Sequence, residues 1–221
     1  MNELIVSLGT ENKTWEDIEK KLQIVKDFAK IIHVDIIDGK FAQNVTFMDP
    51  APFQAYKDAF LLEVHFMTEN PIQYVKPFAD AGFKRFIGHI EKIPNTAEFV
   101  AEGQLYGEVG IAIDAPTSMD SLQEINFEDL DFITVMTVKA GISGQAFLEE
   151  QIEKIKKIRE KANTEVLSPD FGIEVDGGIN SETILKAKEA GANRFSVTSA
   201  IFKEADPKAA YEKLDQTIEN T

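Results

Sequence analysis

The chain has 221 residues, long enough for one barrel-sized domain with a substantial core, and 43% hydrophobic with 28% charged residues is an ordinary globular composition. Its 38 acidic against 23 basic side chains leave a formal net charge of −15. That field disfavours nucleic acid and anionic membrane surfaces as partners, and it requires any bound phosphate to be held by local backbone N–H groups and helix N-termini. There is no cysteine, so disulfides and thiolate metal sites are excluded, and a metal could be held only by His, Asp, Glu, water or substrate oxygens.

The segment Met1-Asn2-Glu3-Leu4-Ile5-Val6 has no basic stretch ahead of a long apolar one, so a secretory signal is not expected and a cytoplasmic location is. No window approaches the ~20 apolar residues of a membrane span. From there the chain alternates short apolar runs with longer amphipathic ones. Strands are predicted at 4–8, 31–36, 61–66, 85–90, 108–113, 132–138, 173–175 and 194–197, each nearly continuous in Val, Ile, Leu and Phe, as suits parallel strands covered on both faces. Helical patterns lie between them, among others at 15–30, 71–81, 147–162, 182–190 and 207–218.

The helix boundaries carry recognisable signals. Asn70-Pro71 and Asp206-Pro207 each put a capping side chain before a proline suited to the first helical position. Thr14 and Thr117 are further caps, each with an aspartate three residues on. Ala-Gly pairs at 81–82 and 190–191 suit helix ends that lead back into strands. Eight βα units with no Pro/Ser-rich linker predict an α/β protein, a single (β/α)8 TIM barrel spanning 1–221. A doubly wound open sheet is the lesser alternative, because Ser7-Leu8-Gly9-Thr10 does not supply its glycine-rich first turn.

Polar residues collect at the predicted C-terminal strand ends, where such barrels keep their active sites. Period-2 alternation puts His33 and Asp35 on one face of the second strand and Val34 and Ile36 on the other. A histidine and a carboxylate turned into a barrel would be costly without partners or a metal. His65 ends the third strand, and Asp176 ends the seventh, before Gly177 and Gly178, which allow backbone to approach a ligand closely. Two imidazoles and two carboxylates suit a divalent Zn2+, Fe2+, Co2+ or Mn2+ ion. His89, the third histidine, reads as a satisfied core residue.

Taken together, His33-Val34-Asp35-Ile36-Ile37-Asp38-Gly39, Phe41, Asn44-Val45-Thr46, His65-Phe66-Met67, Val135-Met136-Thr137-Val138, Gly144-Gln145-Ala146-Phe147, Val175-Asp176-Gly177-Gly178-Ile179 and Ser199-Ala200-Ile201-Phe202 resemble the ribulose-phosphate 3-epimerases. The resemblance runs from Ser7 to about Pro207, in order. It implies a metal-dependent enzyme that inverts C3 of a ketose phosphate, D-ribulose 5-phosphate to D-xylulose 5-phosphate, in the pentose phosphate pathway. It also implies His33, Asp35, His65 and Asp176 as metal ligands, with Asp35 and Asp176 as the two acid/base groups. Ser7, Met67, Met136, Ser143, Gly144, Gly177, Gly178, Thr198 and Ser199 are the implied substrate contacts.

The phosphate end departs from the family pattern. The usual Glu-Pro-Gly-Phe-Gly-Gly-Gln is here Lys139-Ala140-Gly141-Ile142-Ser143-Gly144-Gln145, a usual Gly-Ser is Thr198-Ser199, and the usual methionine before Asp38 is Ile37. Asp114 stands before Ala115-Pro116-Thr117 in place of a Pro-Gly-Thr, either to bind a sugar hydroxyl or to cap a turn. Lys139 reads as a solvated loop lysine. The departures keep two alternatives open: an epimerase of a related sugar phosphate such as allulose 6-phosphate, and a non-catalytic sugar-phosphate-binding barrel. Self-association into a homo-oligomer is left open too.

Overall fold

A computed structural model describes residues 2–166 and 171–219. Strands β1 (Glu3–Ser7), β2 (Ile31–Ile37), β3 (Leu61–Met67), β4 (Arg85–His89), β5 (Glu108–Ile113), β6 (Phe132–Met136), β7 (Gly172–Asp176) and β8 (Arg194–Val197) pair in parallel, each with the next, and β8 returns to β1 to close a barrel. The helices are α1 (Trp15–Val25), α2 (Ile72–Asp80), α3 (Thr96–Gln104), α4 (Gln151–Glu165), α5 (Thr183–Glu189), α6 (Ser199–Phe202) and α7 (Pro207–Glu219). This is the single (β/α)8 TIM barrel that the alternating pattern predicts.

Two crossovers differ from the expected helices. The β2–β3 connection carries only a 3-10 turn, Ala51–Tyr56, and the β5–β6 connection carries two, Met119–Leu122 and Phe127–Asp129. Pro50 is the N-cap of the first of these and Pro52 lies in its first turn. In the second, Ser118 accepts from Asp120 N in place of the expected cap at Thr117. Asn70 does not cap either: it sits at φ 52°, and the α2 N-terminus has no side-chain cap. Thr14 does close a capping box with Asp17, and Asp206 Oδ1 accepts from Ala209 N at 3.0 Å. Gly82 and Gly191 take φ 103° and 112° at the ends of α2 and α5, as the Ala-Gly pairs require.

The main core lies between strands and helices. Outward residues such as Val34, Ile36, Val64, Phe66, Val135 and Val175 pack against Leu22, Phe78, Ile158 and Ile184, each fully buried side chain contributing roughly 1.5–3 kcal/mol. The alternate residues fill the barrel itself. At its lower end Arg85 forms a bidentate pair with Glu3 at 2.7 and 2.9 Å, and Arg194 reaches Glu108 at 2.8 Å. Ile87, Ala112 and Phe132 form an apolar patch within, and Ile37, Met67, Met136, Val138 and Ala140 line the mouth. Between these two zones stand His33, His65, Glu63 and Glu174, all fully buried.

Candidate active site

The parallel ladder brings the four predicted residues together. Asp35 on β2 is in register with His65 on β3, and β7 delivers Asp176 from the other side of β1 and β8. Asp35 Oδ1 lies 3.2 Å from both His33 Nε2 and His65 Nδ1. Asp176 Oδ2 lies 3.8 Å and 3.5 Å from the same two nitrogens. Four ligands bonded at roughly 2.0–2.2 Å in a tetrahedron would sit about 3.3–3.6 Å from one another, so the donor spacing and the nitrogen–oxygen donor set fit a divalent cation. The group could hold a metal, as could His33 with Glu63 and Glu174 beneath it.

Electrostatics tie the four together. Burial opposes charge on Asp35, yet the two imidazoles beside it hold its carboxyl far below the usual carboxylate range. Burial likewise opposes protonation of His33, but Asp35, Glu63 and Asp176 overcome it and raise the ring well above its ordinary value. His65 is raised against its own burial by hydrogen bonds to Asp176 and Asp35. A cation bound here would displace protons from the rings, so its binding would weaken as pH falls.

Other predicted contacts surround a cleft over this group. Ser7, Met67, Met136, Ser143, Gly144, Gly177, Gly178, Thr198 and Ser199 all line it, with Asp35 and Asp176 in its floor, while His33 and His65 lie beneath with no exposure. Ser7 Oγ donates to Asp35 Oδ2 at 3.2 Å and accepts from Gly9 N at 3.0 Å, which aims the carboxylate. Met67 and Met136 form an apolar wall with Ile37. Thr137 Oγ1 donates to the carbonyl of Asp176 at 3.0 Å and pins the end of β7. Gly177 and Gly178 take φ 108° and 69°; a Cβ there would meet Val138 Cγ2 at 2.3 Å and Phe147 N at 2.6 Å. A larger residue at either position would strain the backbone and displace a neighbour.

At the rim the loops fasten to each other. Ser143 N donates to Thr10 Oγ1 at 2.9 Å and Thr10 N donates to Ser143 Oγ at 2.8 Å. The N–H of Ser143, one of the implied substrate contacts, is thus taken up by Thr10. Asn44 Nδ2 adds a bond to the Thr10 carbonyl at 2.7 Å. Asp114 resolves as a structural residue: its Oδ1 accepts from Ala115 N at 2.8 Å and from Ala140 N at 2.9 Å, capping one turn and anchoring the next loop. Lys139 is exposed beside a neighbouring groove.

Three buried residues at the site were not among the sequence candidates. Glu63 Oε1 lies 2.6 Å from His33 Nδ1, and Glu174 Oε1 lies 3.6 Å from the same atom. Burial, with the Glu63 carboxyl alongside, pushes Glu174 well above its ordinary value. His89 is stacked on His65 at 4.8 Å between centroids; its Nδ1 meets Glu91 Oε2 at 3.0 Å, but its Nε2 has no partner, so it is only partly the satisfied core residue expected. Alternation alone would have turned Glu63 and Glu174 inward, and a carboxylate on the inner face of a barrel strand is the signal that could have found them. No helix among the described residues is long and apolar enough to cross a membrane.

Comparison with known proteins identifies the family. Residues 7–202 match the model of the ribulose-phosphate 3 epimerase family. A ribulose-phosphate 3-epimerase of Bacillus subtilis is 34% identical over 213 residues, covering 94% of this chain and 92% of the relative. One from Aquifex aeolicus is 32% identical, with 90% of each chain covered. In fold alone, the chain is similar to the crystal structure of KGPDC from Streptococcus mutans, at a TM-score of 0.71 and 12% identity, covering 100% of this chain and 98% of that one. With a closed barrel, a paired His/Asp group at its strand ends and a family match over most of its length, this chain belongs to the ribulose-phosphate 3 epimerase family.

Proposed function

We propose that the protein interconverts D-ribulose 5-phosphate and D-xylulose 5-phosphate by inverting C3, with Asp35 and Asp176 as the two proton carriers. The observation that carries this reading is the pair itself: two carboxylates from β2 and β7 in the floor of one cleft, both against the same two imidazoles. Epimerisation removes the C3 proton from one face and returns a proton to the other, so it needs one carrier per face. One carboxylate starts ionised and takes the C3 proton; the other starts protonated and delivers its own to the opposite face. The two exchange roles in the reverse direction, and the net proton count is zero.

His33, Asp35, His65 and Asp176 would hold a Zn2+, Fe2+, Mn2+ or Co2+ ion, and a bound ion would supply positive charge beside the substrate oxygens as negative charge develops there. Ser7 keeps the Asp35 carboxylate aimed into the cleft. Met67 and Met136 exclude water from the reacting carbon without competing for its proton. The phosphate would be held by backbone around Gly144, Gly177, Gly178, Thr198 and Ser199, where the glycines allow close approach. Each positioned acid or base is worth about 10²–10⁴ in rate.

The test is exchange of the C3 hydrogen with solvent deuterium by the metal-loaded protein, followed for ribulose 5-phosphate and allulose 6-phosphate side by side. Faster exchange with ribulose 5-phosphate is expected. Preference for the hexulose would move the substrate assignment, and no exchange with either would remove the enzymatic reading.

A further inference from the structure

The two histidines of the site are supported in different ways. His65 presents Nδ1 to Asp35 and Asp176, while its buried Nε2 has no hydrogen-bond partner and its ring stacks on His89. His33 presents the opposite nitrogen, Nε2, to the same carboxylates, and its Nδ1 points down the barrel to Glu63 Oε1 at 2.6 Å. Glu63 is in direct register with His33 across the β2–β3 ladder, and both are fully buried. Its second oxygen, Oε2, is 3.7 Å from Arg85 Nη1, and Arg85 is itself held by Glu3.

A neutral imidazole carries one proton, and its position decides which nitrogen keeps the lone pair that can bind a cation. A carboxylate against Nδ1 stabilises the Nδ1–H tautomer and sets the plane of the ring. We propose that Glu63 is the positioning residue of the site: it accepts the His33 Nδ1–H and so leaves Nε2 free and correctly turned to bind the divalent cation. Glu174 does not substitute for it, because at 3.6 Å its oxygen is beyond hydrogen-bond reach of Nδ1. His65 has no counterpart among the described residues; its orientation comes from packing on His89. The proposal rests on the metal-binding reading of the four upper residues.

The experiment pairs Glu63→Gln, which keeps an acceptor oxygen, with Glu63→Leu, which keeps the bulk and loses it. Metal-free full-length protein is titrated with Zn2+ against a chromophoric chelator, and the ring nitrogens of His33 are followed by long-range 1H–15N NMR at alkaline pH, where the ring is neutral. The expected result is a 10–100-fold weaker Zn2+ affinity for Glu63→Leu, a change within about threefold for Glu63→Gln, and an Nδ1–H tautomer in the wild type and Glu63→Gln that gives way to a mixture in Glu63→Leu. Wild-type affinity and tautomer in Glu63→Leu would overturn the proposal, and so would equal losses in both variants. If Glu63→Leu does not fold, a wild-type His33 carrying its proton on Nε2 overturns it alone. Failure of the underlying metal reading looks different: the wild-type protein then takes up no Zn2+, or His33→Ala takes it up unchanged, while the tautomer signals still decide the role of Glu63.

Discussion

The floor of the site and its rim are built on different principles. The floor consists of His33, Asp35, His65 and Asp176 on strands β2, β3 and β7 of a hydrogen-bonded barrel, fully or almost fully buried, with Glu63 against His33 from below. The rim consists of loops around residues 9–12, 44 and 139–145, fastened by hydroxyl and amide hydrogen bonds, with Ile142 still 66% exposed. On the proposed function the floor carries the proton transfer, a step that tolerates little positional error, and its groups stand on elements that the whole barrel holds rigid. On the same reading, recognition of the substrate's far end tolerates more and falls to the loops of the rim.

The largest effect should come from the floor. Asp176→Asn removes one proton carrier and is expected to lower C3 exchange by at least about 10²–10⁴ while the far-UV spectrum and melting temperature stay near wild type. Retained exchange would take Asp176 out of its role and blur the division between floor and rim. Next, His33→Ala or His65→Ala should leave the purified protein depleted of metal by elemental analysis, with activity not restored by excess Zn2+ or Mn2+. A metal content equal to wild type would show that the ion sits elsewhere.

At the junction of floor and rim, Gly178→Ala forces a side chain into φ 69° and against the Phe147 backbone. A cost of about 1–3 kcal/mol is expected, seen as a lower melting temperature together with a higher KM. At the rim itself, Thr10→Val removes the acceptor for Ser143 N, a bond worth about 1 kcal/mol. The KM for the ketose phosphate should rise a few-fold with kcat nearly unchanged; a large loss of kcat would make the rim part of the catalytic apparatus.

The smallest effect lies behind His65. Burial would raise the Glu91 carboxyl, but its bond to His89 and the charge there bring it down to about 2 from an ordinary 4.5. A depressed carboxylate stabilises the fold above its unfolded value and loses that contribution as pH falls through its folded one. The stabilisation should therefore fade between about pH 4.5 and 2, and Glu91→Gln should flatten that limb of a melting-temperature profile. An unchanged limb would show that His89 does not depend on Glu91.

By itself the sequence determined the architecture and the identity of the four floor residues. Buried parallel strands must be apolar on both faces, so eight such runs separated by amphipathic stretches stand out, and polar residues interrupting them at one end are conspicuous. Helix ends were legible where the capping residues act within the first turn, as at Thr14 and Asp206, and not at Asn70 or Thr117, where the local backbone decided otherwise. Tertiary structure alone decided what pairs with what. Alternation turns Glu63 inward, but only the register between β2 and β3 sets it against His33. The closure of the loops over Ser143 depends on Thr10, 133 residues away in sequence. The His33–Asp35 face could be read from two neighbouring positions on one strand; the orientation of the His33 ring could not, because the carboxylate beneath it and the arginine behind that carboxylate come from two other strands.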